Sequence, residues 1–129
     1  MGRGTAPISV LVVEDEVLIS NLVADVLSAS GFVVHEVTTA DEALQYIDSG
    51  ADIDVLFTDI NLPGSMNGAE LAARARELRP EMPIVYASGR FKLSEIAPLV
   101  PRSLFMAKPY DPNDVCALLT RLTGAASPP

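Results

Sequence analysis

Five polar residues stand where short apolar runs end: Glu14 and Asp15 after ISVLVV, Asp59 after IDVLFT, Ser88 after PIVYA and Lys108 after SLFMA. Singly, each reads blandly. Asp15 would cap a helix, Asp59 would be a loop residue and Lys108 a surface lysine. Together, at the same ends of several strands, they form a set. Three carboxylates brought close repel one another unless a cation joins them. An oxygen-only donor set with no Cys or His suits a hard divalent ion. Mg²⁺ fits best, since it takes one or two carboxylates and completes its shell with water and phosphate oxygens. Such an ion would neutralise an incoming phosphoryl group, leaving the Asp59 carboxylate as nucleophile and an aspartyl phosphate as product. Lys108 would place a compact positive charge on a phosphoryl oxygen, and Ser88 would donate a hydrogen bond.

The apolar runs themselves say what positions these residues. Ile8–Val13, Phe32–Val37, Ile53–Thr58, Pro83–Ala87 and Ser103–Ala107 are short and rich in β-branched and apolar residues, as strands are. Helical spacing intervenes. From Glu16 to Ser30, Leu18, Ile19, Leu22, Val23, Val26 and Leu27 fall on one side, and Gly31 follows as a stop. Thr39 and Glu42 have the form of a capping box opening a helix that ends near Gly50. Further helices are expected over Gly68–Leu78, over 91–100 (shortened or distorted by Pro98 and Pro101) and from Asp111-Pro112 to Leu122. Five strands alternating with five helices predict an α/β fold, a parallel sheet with helices on both faces. Ligands of such folds gather at the carboxyl ends of the strands.

Bulk properties narrow the classes. A chain of 129 residues fits one domain over 8–122, between an extended or disordered start (1–7) and a short tail (123–129). No apolar run is long enough to span a bilayer, and the first residues lack the apolar core of a signal peptide. The single Cys116 excludes an internal disulfide and suits the cytoplasm. A net charge of −8 argues against nucleic acid as partner. Arg74, Arg76 and Arg79 read as a solvated helix face.

The sequence resembles the receiver domains of bacterial response regulators from residue 8 to about 122, through VLVVEDE around Glu14 and Asp15, LFTDINLPGSMNG around Asp59, VYASG around Ser88 and LFMAKPY around Lys108. The resemblance implies a flavodoxin-like sheet of strand order 2-1-3-4-5. It implies Asp59 as phosphoacceptor, and a Mg²⁺ site from Asp15, Asp59, the backbone carbonyl of Asn61 and, through water, Glu14. Ser88 and Phe105 match the switch residues, and Lys108–Pro109 matches a peptide bond that is cis in most members. The implied partners are a histidine kinase or histidine phosphotransfer protein, and a downstream protein docking on the face made by segment 91–100, the fifth strand and the last helix. Such a domain catalyses its own phosphorylation and dephosphorylation, and Arg90 is expected to affect the lifetime of the phosphoryl group. Departures include Glu14 in place of Asp, a longer loop over Pro63–Gly68, and Phe105 in place of Tyr.

Other classes are weighed against this one. A flavin carrier needs a hydroxyl-rich loop after strand one, where this chain has Glu14-Asp15-Glu16. Phosphatases with an aspartyl nucleophile carry an Asp-x-Asp pair after the first strand, whereas Asp59-Ile60-Asn61 follows the third. A docking-only receiver, and a receiver cut from a hybrid histidine kinase, remain as alternatives. His35 is read as a partly exposed strand residue, and Cys116, Met66, Met106 and Tyr110 as packing residues.

Overall fold

The computed structural model describes residues 7–89 and 100–124. Five strands, β1 (Ser9–Val13), β2 (Val33–Val37), β3 (Val55–Asp59), β4 (Ile84–Ser88) and β5 (Ser103–Ala107), form one parallel sheet in the order β2-β1-β3-β4-β5. Four helices are described: α1 (Val17–Ala29), α2 (Ala40–Asp48), α3 (Gly68–Leu78) and α4 (Pro112–Thr123). The helix expected over 91–100, with Pro98, lies almost wholly outside the described residues, as do most of the expected start and tail.

Burial separates central strands from edges. Every residue of β3 and β4 is buried, whereas no residue of β2 or β5, at the two edges, is fully buried. The period of two then sorts side chains into two cores. Leu11, Val13, Leu56, Ile84 and Tyr86 point to one face, under α2 and α3. Val10, Val12, Val55, Phe57, Val85 and Ala87 point to the other, under α1 and α4.

Helix starts follow local chemistry. The Thr39 side chain accepts from Glu42 N, and the Asp111 carboxylate from Asn113 N with Pro112 in the first turn. Asn67 and Glu70 complete a reciprocal capping box on α3 that the sequence reading did not identify.

Two expectations are corrected. The inward stripe of α1 is Ser20, Val23, Ala24 and Leu27, while Leu18 is 80% and Leu22 57% exposed. Ser20 takes an inward place because its hydroxyl donates to Glu36 Oε1 at 2.6 Å, which leaves the helix rotated from the stripe that apolarity alone suggests. Nor do the three arginines form a solvated face. Arg76 donates to the carbonyls of Arg79, Pro80, Pro101 and Arg102, and Arg79 to those of Ile47 and Ala51. Both tie helix ends and loops whose carbonyls lack helical partners. Only Arg74 is solvated. His35 is exposed on β2 and stacks on Tyr46, with ring centroids 3.9 Å apart.

Candidate functional site

Adjacent parallel strands bring their carboxyl ends to one rim. Val13 pairs with Thr58, so Glu14 and Asp59 emerge side by side from β1 and β3. Beyond β3, Asp59 is in register with Ala87, and Ser88 with Ala107. The amide of Lys108 donates to the Ser88 carbonyl at 3.1 Å, which fixes where the lysine stem leaves β5. The Lys108–Pro109 peptide bond is cis.

At the rim, one oxygen from each of Glu14, Asp15 and Asp59 lies within 4.8 Å of the others. Lys108 Nζ bridges two of them, 3.0 Å from Glu14 Oε1 and 2.9 Å from Asp59 Oδ2. Asn61 follows on the loop: its amide donates to Asp59 Oδ1 at 3.3 Å, and its Nδ2 to Ser88 Oγ at 3.3 Å. Glu14 is 2%, Asp59 6% and Ser88 1% exposed, while Asp15 is exposed. An open cleft of about 580 Å³, lined in part by Asp15, Asp59, Asn61, Asn67, Gly89 and Lys108, gives access from solvent.

The electrostatics are lopsided. Burial pushes the Glu14 carboxyl up from 4.5 to about 7, against the hydrogen bonds from Lys108 and from Glu16 N that favour its ionised form. Burial alone would lower Lys108, but the carboxylates of Asp59 and Glu14 outweigh it and hold the ammonium well above its ordinary value. Among the described residues, one ammonium therefore bridges two of the three clustered carboxylates. The donors are all oxygen, they converge, and their charge is under-compensated. That combination fits a hard divalent cation.

The loop after β3 needs a residue without a side chain. Gly68 N donates to the Ile60 carbonyl at 2.8 Å, and a Cβ on Gly68 would collide with the Asp59 carbonyl oxygen and stand 2.8 Å from Ile60 Cα. The start of α3 is thus pressed against the backbone of Asp59.

Phe105 is not part of this cluster. It is half-buried, in register with Tyr86, and packs into the core under α2 and α3. Val100 N reaches the Tyr86 hydroxyl at 3.5 Å. Tyr110 packs as expected, its ring edge-on to Phe57 at 5.6 Å, but its buried hydroxyl has no hydrogen-bond partner among the described residues. Nothing in residue type or spacing distinguishes such a tyrosine from one with a satisfied hydroxyl. Arg90 lies outside the described residues.

Known proteins resemble this chain along most of its length. The family described as response regulator receiver domain matches residues 10–120. A response regulator receiver protein from Sinorhizobium medicae, known from its crystal structure, superposes with a TM-score of 0.85 at 32% identity, over 92% of this chain and 96% of that one. The aerobic respiration control protein ArcA of Escherichia coli is 32% identical over 108 residues, which are 82% of this chain and 44% of that protein. The chain therefore spans less than half the length of that relative. The sensor kinase CckA of Brucella abortus is 30% identical over 82 residues, 63% of this chain and 9% of that protein.

Proposed function

The chain belongs to the response regulator receiver domain family of two-component signal transduction, and from that premise we propose that it takes a phosphoryl group onto Asp59 from the phosphohistidine of a histidine kinase or phosphotransfer protein. The observation that carries this reading is the position of Asp59. It is the last residue of a central strand, nearly buried, hydrogen-bonded to Lys108 at 2.9 Å and clustered with Glu14 and Asp15.

Glu14, Asp15, Asp59 and the Asn61 carbonyl are the groups that would hold Mg²⁺, which when bound supplies positive charge to the phosphoryl oxygens. Transfer needs little more from the protein than position and charge. A carboxylate oxygen of Asp59 attacks phosphorus in line, the phosphorus–nitrogen bond to the donor imidazole breaks, and the imidazole leaves with the electron pair. Lys108 follows the negative charge from the carboxylates to the phosphoryl group. Ser88, whose oxygen already receives a hydrogen bond from Asn61 Nδ2, offers its proton to a phosphoryl oxygen. Water later cleaves the acyl phosphate, returning Asp59 and inorganic phosphate.

Output passes through a two-state equilibrium biased by Ser88 and Phe105. Without a phenolic hydroxyl, Phe105 works by packing alone. The face made by segment 91–100, β5 and α4 then meets a downstream protein, and the setting is cytoplasmic. Among the described residues, no helix is long and apolar enough to cross a membrane. The similarity to the sensor kinase CckA favours a second reading, in which this chain is the receiver segment of a hybrid histidine kinase. Phosphoryl chemistry is the same in both.

Fluorine NMR with beryllofluoride tests the site. A bound resonance that needs both Mg²⁺ and the Asp59 carboxylate supports the reading. Its absence in the parent protein at saturating reagent would reject it.

A further inference from the structure

Helices α2 and α3 cover one face of the sheet together, and a surface groove of about 610 Å³ runs between them. One wall is a stripe of α2, Asp41, Leu44 and Asp48, spaced as neighbours on one side of a helix. The other wall is Arg74, Glu77 and Leu78 of α3. None of these residues lines the cleft at Asp59. The apolar part of the groove is Leu44 and Leu78, and Leu78 is left 43% exposed. Its charge is one-sided. Three carboxylates face one guanidinium, and among the described residues none of the four is in an ion pair. Two of the carboxylates also stand where a helix disfavours them, since helix carboxyl ends carry partial negative charge. Asp48 is the last residue of α2, which has no basic residue in its last turn, and Glu77 is the last but one of α3. Arg79 donates to the carbonyls of Ile47 and Ala51 and so holds the two helix ends side by side, but it does not line the groove.

We infer that the groove between α2 and α3 docks a basic amphipathic helix of a partner protein, with an apolar side chain on Leu44 and Leu78 and Lys or Arg side chains against Asp48 and Glu77. A groove between two helices receives a third helix by its apolar stripe. From Asp41 to Asp48 is two turns, about 10 Å, so the occupant makes contact over about two turns, with apolar and basic residues three or four apart. Charge selects the partner. A second copy of this chain, at net charge −8, would bring like charge to the groove. A basic helix brings the counter-charges that Asp48 and Glu77 lack. The inference is independent of the phosphoryl chemistry at Asp59.

The probe is a helical Lys–Leu peptide of about 14 residues with one apolar face, set against a peptide of the same composition scrambled so that no apolar face forms. Amide chemical shifts of the isotope-labelled protein locate and titrate each peptide. The patterned peptide should shift α2 and α3 and bind about tenfold more tightly than the scrambled one, as burial of one apolar side chain requires. Leu78→Ser should weaken it by about the same factor. Asp48→Asn combined with Glu77→Gln should weaken it about fivefold, the effect of two exposed ion pairs. That double variant should unfold at the same urea concentration as the parent or a higher one, because two carboxylates leave helix carboxyl ends, so weaker binding cannot come from a damaged fold. Equal binding of the two peptides, or equal binding by parent and double variant, would overturn the inference. So would shifts centred on α1, where Leu18 and Leu22 are also exposed. Self-association of the peptide-free parent through α2 and α3, seen by sedimentation and abolished by Leu78→Ser, would make the occupant a second copy and overturn it too.

Discussion

Replacing Glu14 by Gln should stabilise the metal-free protein in alkaline buffer and destabilise it relative to the parent once Mg²⁺ is present. Glu14 is 2% exposed, and burial pushes its carboxyl from 4.5 to about 7. The folded state therefore binds this proton more tightly than the unfolded chain does. The stability it contributes is fully present below 4.5 and is lost as pH rises through about 7. At about 1.4 kcal/mol per pH unit, holding the ionised form in the fold costs on the order of 3 kcal/mol. Lys108 and the open cleft admit water, and screening reduces this to about 1.5 kcal/mol. Gln keeps an oxygen for Lys108 to donate to and carries no charge to desolvate. At pH 8 in chelator, with a urea slope of about 2 kcal/mol per molar, the midpoint of Glu14→Gln should lie roughly 0.7 M above that of the parent. At pH 5 the parent carries the proton, and the two should agree within about 0.2 M. Saturating Mg²⁺ at pH 8 should invert the order, because a hundredfold excess over the dissociation constant is worth about 2.7 kcal/mol to the parent and less to a site lacking one carboxylate. Equal midpoints at pH 8 without metal, or a parent that gains stability from pH 5 to 8 relative to the variant, would refute the reasoning.

Lys108→Met leaves Glu14 and Asp59 without their shared cation and should cost about 2 kcal/mol in metal-free buffer at pH 8, less at pH 5, with part restored by Mg²⁺; urea titrations at both pH values check this. Gly68→Ala should cost on the order of 1–3 kcal/mol by overpacking the backbone of Asp59 and Ile60, and should weaken beryllofluoride binding as well. Unchanged stability and binding would contradict the close approach described for α3. Arg79→Ala, which removes two hydrogen bonds to loop carbonyls, should cost about 1–2 kcal/mol, whereas Arg74→Ala should stay within about 0.5 kcal/mol; thermal melts of the pair separate a structural arginine from a solvated one.

The strands were legible because β3 and β4 are buried on both faces and so read as unbroken apolar runs. The residues ending those runs were legible for the same reason: the polar groups begin where the sheet stops. Topology brought Glu14, Asp59, Ser88 and Lys108 to one rim, and no further information was needed to place them there. What could not be read lies in partners distant along the chain. Ser20 is turned inward by Glu36 on β2, so the apolar pattern of α1 pointed to Leu18 and Leu22 instead. Arg76 and Arg79 looked like surface charges because their acceptors are backbone carbonyls more than 20 residues away as well as nearby ones. Carbonyls leave no mark in a sequence. The Tyr110 hydroxyl is harder still, since what distinguishes it is a missing bond.

The central claim is that Asp59 accepts a phosphoryl group in a Mg²⁺-dependent reaction catalysed by its own surroundings. Intact mass after incubation with acetyl phosphate, with and without Mg²⁺ and alongside Asp59→Asn, tests it most directly. The expected result is a single phosphoryl adduct on the parent protein that disappears without Mg²⁺ and never forms on Asp59→Asn. An adduct of equal yield on Asp59→Asn would contradict the claim.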